Sequence, residues 1–134
     1  MMFWINIDTW PSIVSASMNG DNIKVLVNQS LDQPTGIAID YQNDGRVYWC
    51  DEKTSSIETI KIDGSDRHLI RHNQLAHPYR LDVFENHIYW LTRQDGTINK
   101  VDKFGRGVVT HLVEHLDLVN DIKVYHKYKY PARG

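Results

Sequence analysis

The residues of this 134-residue chain that could do chemistry are seven histidines, one cysteine and a scatter of carboxylates. His68, His72, His77 and His87 fall within twenty positions, and His111, His115 and His126 follow. Imidazole titrates near about 6.5, so such groups gain charge between neutral and mildly acidic pH. Protonating all seven adds seven charges to a formal net charge of −2 and gives +5. A surface altered in this way could compete for acidic partners that it ignores at neutral pH. Asp40, Asp82 and Asp121 are the candidates for a central metal site, which needs carboxylate and amide oxygens converging from several strands. The lone Cys50 has no second cysteine in the chain to pair with and reads as a small buried hydrophobe. A reactive thiol needs an exposed, electropositive setting, and none is evident around it. No Ser/His/Asp order, phosphate-cradling glycine loop or paired-cysteine zinc spacing is present.

Whatever positions these groups is repetitive. Phe3-Trp4-Ile5-Asn6, Tyr48-Trp49-Cys50-Asp51 and Tyr89-Trp90-Leu91-Thr92 are three versions of one strand-like run. Each is followed by an isoleucine (Ile13, Ile57, Ile98) and then a glycine (Gly20, Gly64, Gly105). Pro34 and Pro78 precede the second and third versions, 44 residues apart, and the tryptophans are spaced by 45 and 41. A period of about 40–45 residues with strand content is the mark of propeller blades. In the second repeat, residues 36–41 alternate small and large apolar groups, and Asn43-Asp44-Gly45 supplies turn chemistry. Residues 46–51 then put Val47 and Trp49 on one face and Tyr48 and Cys50 on the other. Residues 56–62 and 67–70 complete four strands, and residues 79–84, 87–92, 97–101 and 108–113 copy the order. In the first repeat the run at Met2 already holds the second position, followed by strands over 14–18 and 23–27. Residues 120–125 read as an opening strand with nothing after it, so the expected count is twelve. Aligning the repeats sets Asp82 against Ala38 rather than Asp40, so equivalent positions are not uniformly acidic.

Composition narrows the function classes. A hydrophobic content of 41% suits a globular protein, and a charge of −2 argues against a nucleic-acid partner. Lys123, Lys127, Lys129 and Arg133 alternate with tyrosines near the end and read as a solvated strand exit. There is no apolar run of 18 residues, and the opening residues lack the pattern of a signal peptide. Asn28-Gln29-Ser30 is an N-glycosylation sequon. Trp4, Trp49 and Trp90 are expected to be buried between blades, and Trp10 is the tryptophan to consider for a surface contact.

The Tyr-Trp-x-Asp run, the lead-in from Pro34 to Asp40, the segment from Ile57 to Gly64, Lys103-Phe104-Gly105 and the exit Val124-Tyr125-His126 resemble the six-bladed YWTD propellers of the low-density lipoprotein receptor family. The resemblance covers nearly all of the chain. It implies an all-β fold, a partial six-bladed YWTD-type β-propeller of about three blades of four antiparallel strands. The repeat boundaries give a partial blade over 1–33, blades over 34–77 and 78–117, and a closing strand with exit segment over 118–134. It further implies that the acidic fourth residue of each run ties neighbouring blades. Only Asp51 keeps it, since Asn6 and Thr92 replace it in the other runs.

The implied function is a non-enzymatic scaffold and binding module in the extracellular part of a single-pass endocytic receptor. Its partners would be the cysteine-rich ligand-binding and EGF-like modules of the same receptor, together with protein or lipoprotein ligands. Nucleic acid and direct membrane insertion are not expected. No cofactor is implied for this segment, and calcium belongs to neighbouring modules of the parent receptor. The structural motif residues are Phe3, Trp4, Tyr48, Trp49, Asp51, Tyr89 and Trp90. His68, His72, His77 and His87 are the candidates for acid-dependent ligand release, and Asn28 for glycosylation. The alternatives are a propeller-type metal-dependent hydrolase or lactonase, and a soluble ligand-binding fragment. Three blades would leave two open flanks, so the isolated chain is expected to associate or to fold only in part.

Overall fold

The computed structural model describes residues 1–7, 10–42, 45–72, 75, 77–92 and 96–113, and all structural statements concern these. They form eleven strands in three antiparallel sheets. Blade one is β1 (Met2–Asn6), β2 (Ser12–Ala16) and β3 (Lys24–Val27). Blade two is β4 (Pro34–Asp40), β5 (Arg46–Asp51), β6 (Ser56–Lys61) and β7 (His68–Arg71). Blade three is β8 (Pro78–Phe84), β9 (His87–Thr92), β10 (Thr97–Asp102) and β11 (Thr110–Val113). Each sheet runs outward in chain order, and β4 packs against both β1 and β8.

The repeated isoleucine has a structural meaning that spacing alone does not reveal. In every blade the outermost strand pair carries a bulge beside it: at Ile13/Val14, Ile57/Glu58 and Ile98/Asn99. A bulge increases local twist, which turns the outer strand away from a flat, aggregation-prone edge. The following glycines, Gly20, Gly64 and Gly105, have φ of +86°, +90° and +79°. At Gly105 a Cβ would also overlap the carbonyl oxygen of Ile70 in the neighbouring blade. That turn therefore needs glycine twice over, for conformation and for room.

Alternation along β5 separates two cores. Tyr48 and Cys50 face blade three, where they join Ile57, Leu75, Leu81, Ile88 and Trp90. Val47 and Trp49 face blade one, joining Ile13, Val27 and Ile60. Each indole thus inserts against the blade before its own. Trp49 and Trp90 are 1% and 0% exposed. Trp4 departs from the expectation of burial at 37% exposed, because no described sheet packs on that face of β1. The inner strands approach closely: a Cβ on Gly36 would come within 2.9 Å of Arg80 Cα and Cys50 Sγ.

Several strand limits differ from the sequence expectation. β2 begins at Ser12 and stops at Ala16, because Ser17 N and Oγ both donate to Asp21 O and close a turn. β3 begins at Lys24, β6 ends at Lys61, β7 runs one residue further than expected, and β11 begins at Thr110. Residues 114–134, including the expected closing strand at 120–125, Asp121, His115 and His126, lie outside the described residues.

Replacing Trp49 or Trp90 by Ala should cost about 3–5 kcal/mol in urea unfolding monitored by circular dichroism. Trp10, 73% exposed with its Nε1 donating to Asn28 O at 2.8 Å, should cost no more than about 1 kcal/mol when changed to Ala.

Candidate functional site

The best-defined polar constellation surrounds Asp51 at the end of β5. Its buried carboxylate accepts from four backbone N–H groups: Asp32 (2.8 Å), Gln33 (3.1 Å), Lys53 (3.1 Å) and Thr54 (3.1 Å). Asp32 and Gln33 belong to the connection between β3 and β4, whereas Lys53 and Thr54 form the β5–β6 turn. One side chain therefore fastens the interblade connection to a turn of the second sheet. Thr92 holds the same place in blade three, where its Oγ1 donates to Thr97 O and accepts from Thr97 N, both at 3.2 Å.

Other ties between blades were not legible beforehand. Arg67 bridges to Glu58 at 3.1 Å, lies 5.3 Å from the Trp49 ring centroid and donates to Gln29 O at 2.8 Å. Arg71 donates to Gly105 O and Gly107 O, and Lys24 Nζ donates to Asp63 O. Lys103, buried in the β10–β11 turn, meets Asp40 of blade two at 2.9 Å. Asp40 is thus neutralised by an ammonium, and Asp82 caps its neighbour Val83 N at 3.0 Å. Among the described residues no group of three His, Cys, Asp or Glu could hold a metal. One further signal was present but unused: Leu31 and Leu75 each stand three residues before a repeat proline. Both enter the interblade cores, and Leu75 O accepts from Trp90 Nε1 at 3.1 Å.

The four candidate histidines do not form one cluster. His68 opens β7 beside Asp66 (3.7 Å) and Arg46 (3.4 Å). His87 opens β9 with its ring 6.3 Å from that of Tyr89. His72 and His77 lie in the β7–β8 connection, where His77 Nδ1 is 3.0 Å from Glu52 O. Asn28 is exposed just after β3, as a glycan acceptor must be, and its carbonyl holds Trp10. Burial pushes the Cys50 thiol up to about 12, which makes it a packing group. Burial, then the Asp40 charge, also raises the Tyr48 phenol. Hydrogen bonds from Ser65, Arg46 and Arg106 hold Asp63, Asp66 and Asp102 below the usual carboxylate range. A depressed carboxylate contributes its stability above the unfolded pKa and loses it only as pH falls through the folded one. These three therefore stay ionised at endosomal pH and cannot act as its sensors.

At the end of the blades where β4 and β8 begin, a cleft of about 300 Å³ opens between all three sheets. Ile5, Ile7 and Pro34 line it with apolar surface, and Glu52, Tyr79 and Arg80 contribute polar groups. The Arg80 guanidinium sits 4.1 Å from the Tyr79 ring centroid and donates to Thr35 O and Tyr79 O. The cleft sets apolar and charged groups side by side. It was missed in the sequence because its members come from three blades, at positions where the repeats differ.

Packed four-stranded blades, tryptophans inserted between them and an aspartate across the junction define a YWTD β-propeller segment. Residues 1–41 match the family description low-density lipoprotein receptor repeat class B. It is 37% identical over 103 residues (77% of this chain) to a vitellogenin receptor of Solenopsis invicta and 31% identical over 131 residues (98%) to the vitellogenin receptor Yl of Drosophila melanogaster. It spans 6% of the length of each. A human low-density lipoprotein receptor-related protein 5-like protein is 36% identical over 103 residues, covering 77% of this chain and 40% of that protein. Among solved structures, a chain in the crystal structure of a nidogen/laminin complex, a YWTD propeller, matches with a TM-score of 0.75 and 26% identity, over 88% of this chain and 44% of that one.

Changing Asp51 to Ala leaves four N–H groups without their acceptor, and we expect a loss of about 3 kcal/mol or more in chemical denaturation. Asp51→Asn, which keeps one acceptor oxygen, should lose less. Cys50 should resist iodoacetamide in the native state and alkylate only on unfolding, as read by intact mass.

Proposed function

We propose that the chain is part of an extracellular propeller in an endocytic receptor of the lipoprotein-receptor family, acting as a non-enzymatic scaffold and binding module. The observation that carries this reading is the class B repeat match and the likeness to receptors, on a fold whose blades are tied to one another by Asp51, Arg67 and Lys103. Within the family the motif order resembles the last propeller of megalin, and the vitellogenin receptors carry their ligand in their name. Both favour protein cargo of the lipoprotein class. The cleft between Ile5, Pro34 and Arg80 is the face we assign to a protein ligand or to a neighbouring module of the receptor. Cysteine-rich and EGF-like modules, with any calcium they hold, lie in other parts of the parent protein.

Cargo release follows from the histidines in this reading. His68 and His87 charge on one end of the blades and His72 and His77 on the other, so acidification adds positive charge to both rims. A rim that turns basic competes for acidic cargo-binding modules. Replacing the four by Gln in the full receptor should leave cargo bound to cells after a shift from neutral to endosomal pH. Cargo release equal to that of the unaltered receptor would remove the histidines from the mechanism. Loss of cargo binding at neutral pH on Arg80→Glu would support the cleft as a binding face.

A further inference from the structure

We propose that Trp10 is a carbohydrate platform: its indole carries the first N-acetylhexosamine of an oligosaccharide attached to Asn28 and holds that glycan against the rim of blade one. The inference rests on the extracellular reading above, because a sequon is modified only on a chain that enters the secretory route.

Two departures from the repeat meet at this place. Aligning the blades on Ile13, Ile57 and Ile98 sets Thr54 and Asp95 where blade one has Trp10. Ile13 pairs with Val27 and Ile57 with Arg71, so His72 stands where blade one has Asn28. Neither the tryptophan nor the sequon belongs to the blade pattern, yet the fold brings them together. β2 begins and β3 ends at the same end of blade one, so Trp10 and Asn28 lie side by side just beyond the pair. Trp10 Nε1 donates to Asn28 O at 2.8 Å. Pro11 confines the residue before it to extended backbone, which limits how far the indole can swing.

The sequon is fixed along its main chain. Beyond the bond from Trp10, Gln29 O accepts from Arg67 Nη1 at 2.8 Å and Ser30 O from Arg67 Nη2 at 3.4 Å. All three sequon residues are exposed, and nothing among the described residues bonds the Asn28 carboxamide. In the transfer step Asn28 Nδ2 attacks C1 of the first sugar of a lipid-diphosphate-linked oligosaccharide. The N–C1 bond forms, the bond from C1 to the phosphate oxygen breaks, and the Nδ2 proton ends on the departing lipid diphosphate. The sugar ring is then joined only through Cβ, Cγ and Nδ2 of the residue whose carbonyl holds the indole. It therefore starts beside Trp10, which is 73% exposed and open to receive it. The axial C–H groups of a pyranose are weakly positive and meet the negative face of an indole, while the Nε1 edge stays on Asn28 O. Stacking also takes out of water an apolar ring that the bare chain leaves in it.

The test uses the full receptor, native on the surface of animal cells. Peptide N-glycosidase cuts between asparagine and the first sugar and leaves aspartate, so release at Asn28 can be followed by site-specific mass spectrometry. The Asn28 glycan should resist release from the native receptor and yield once it is denatured. Trp10→Ala, which changes the fold little, should be released about two- to tenfold faster in the native state. Trp10→Tyr, which keeps an aromatic face, should retain most of the protection. A bare Asn28 on a receptor that reaches the surface would overturn the proposal and leave the receptor reading standing. Equal release from native and denatured receptor, or from Trp10→Ala and the unaltered receptor, would do the same. A chain that never enters the secretory route would overturn both.

Discussion

One contact repeated at each junction organises this molecule: an indole from the second strand of a blade, pressed into the sheet of the blade before it. Trp49 lies against Ile13 and Val27, and Trp90 against Tyr48, Cys50 and Ile57. A four-stranded sheet with two apolar faces cannot be stable in water by itself, so every blade depends on its neighbours. The large area of the indole makes that dependence strong, and its position one strand from the inner edge fixes the angle between sheets.

Polar ties then lock what the indoles bring together. The Asp51 carboxylate is stabilised by four backbone donors, so it can be buried without a cation. Arg67 satisfies Glu58 and loop carbonyls while covering the Trp49 ring, which joins polar and apolar halves of one junction. Lys103 and Asp40 form a buried pair on the second junction, a type of contact that specifies one partner more than it adds net stability. The two junctions thus share their indole and differ in their charges.

This division explains why such a segment suits recognition. The scaffold is held by its strands, while the rims and the cleft at Arg80 vary between repeats without disturbing the indole contacts. Repeat-to-repeat difference at Gly36 and Arg80 is an example: glycine allows the inner strands of blades two and three to approach, and arginine at the matching place in blade three lines the cleft.

Blade order and the faces of β5 could be read from the chain, because period-two alternation and a 40-odd-residue repeat report local geometry directly, whereas the tie made by Asp51 came only as what the family resemblance implied. The bulges beside Ile13, Ile57 and Ile98 left only an isoleucine as their trace, since a bulge is a property of two strands. Trp4 was misjudged because its sequence is that of a buried residue, while burial depends on whether a sheet stands opposite. The ties made by Arg67, Arg71 and Lys103 were invisible for the same reason: flexible charged side chains choose partners by proximity across a junction. The amino-acid order by itself determined what each blade is. Only tertiary packing decided which charges meet, which indole stays open to water and where three sheets leave a cleft, because these depend on distances between segments about 40 residues apart that no local pattern encodes.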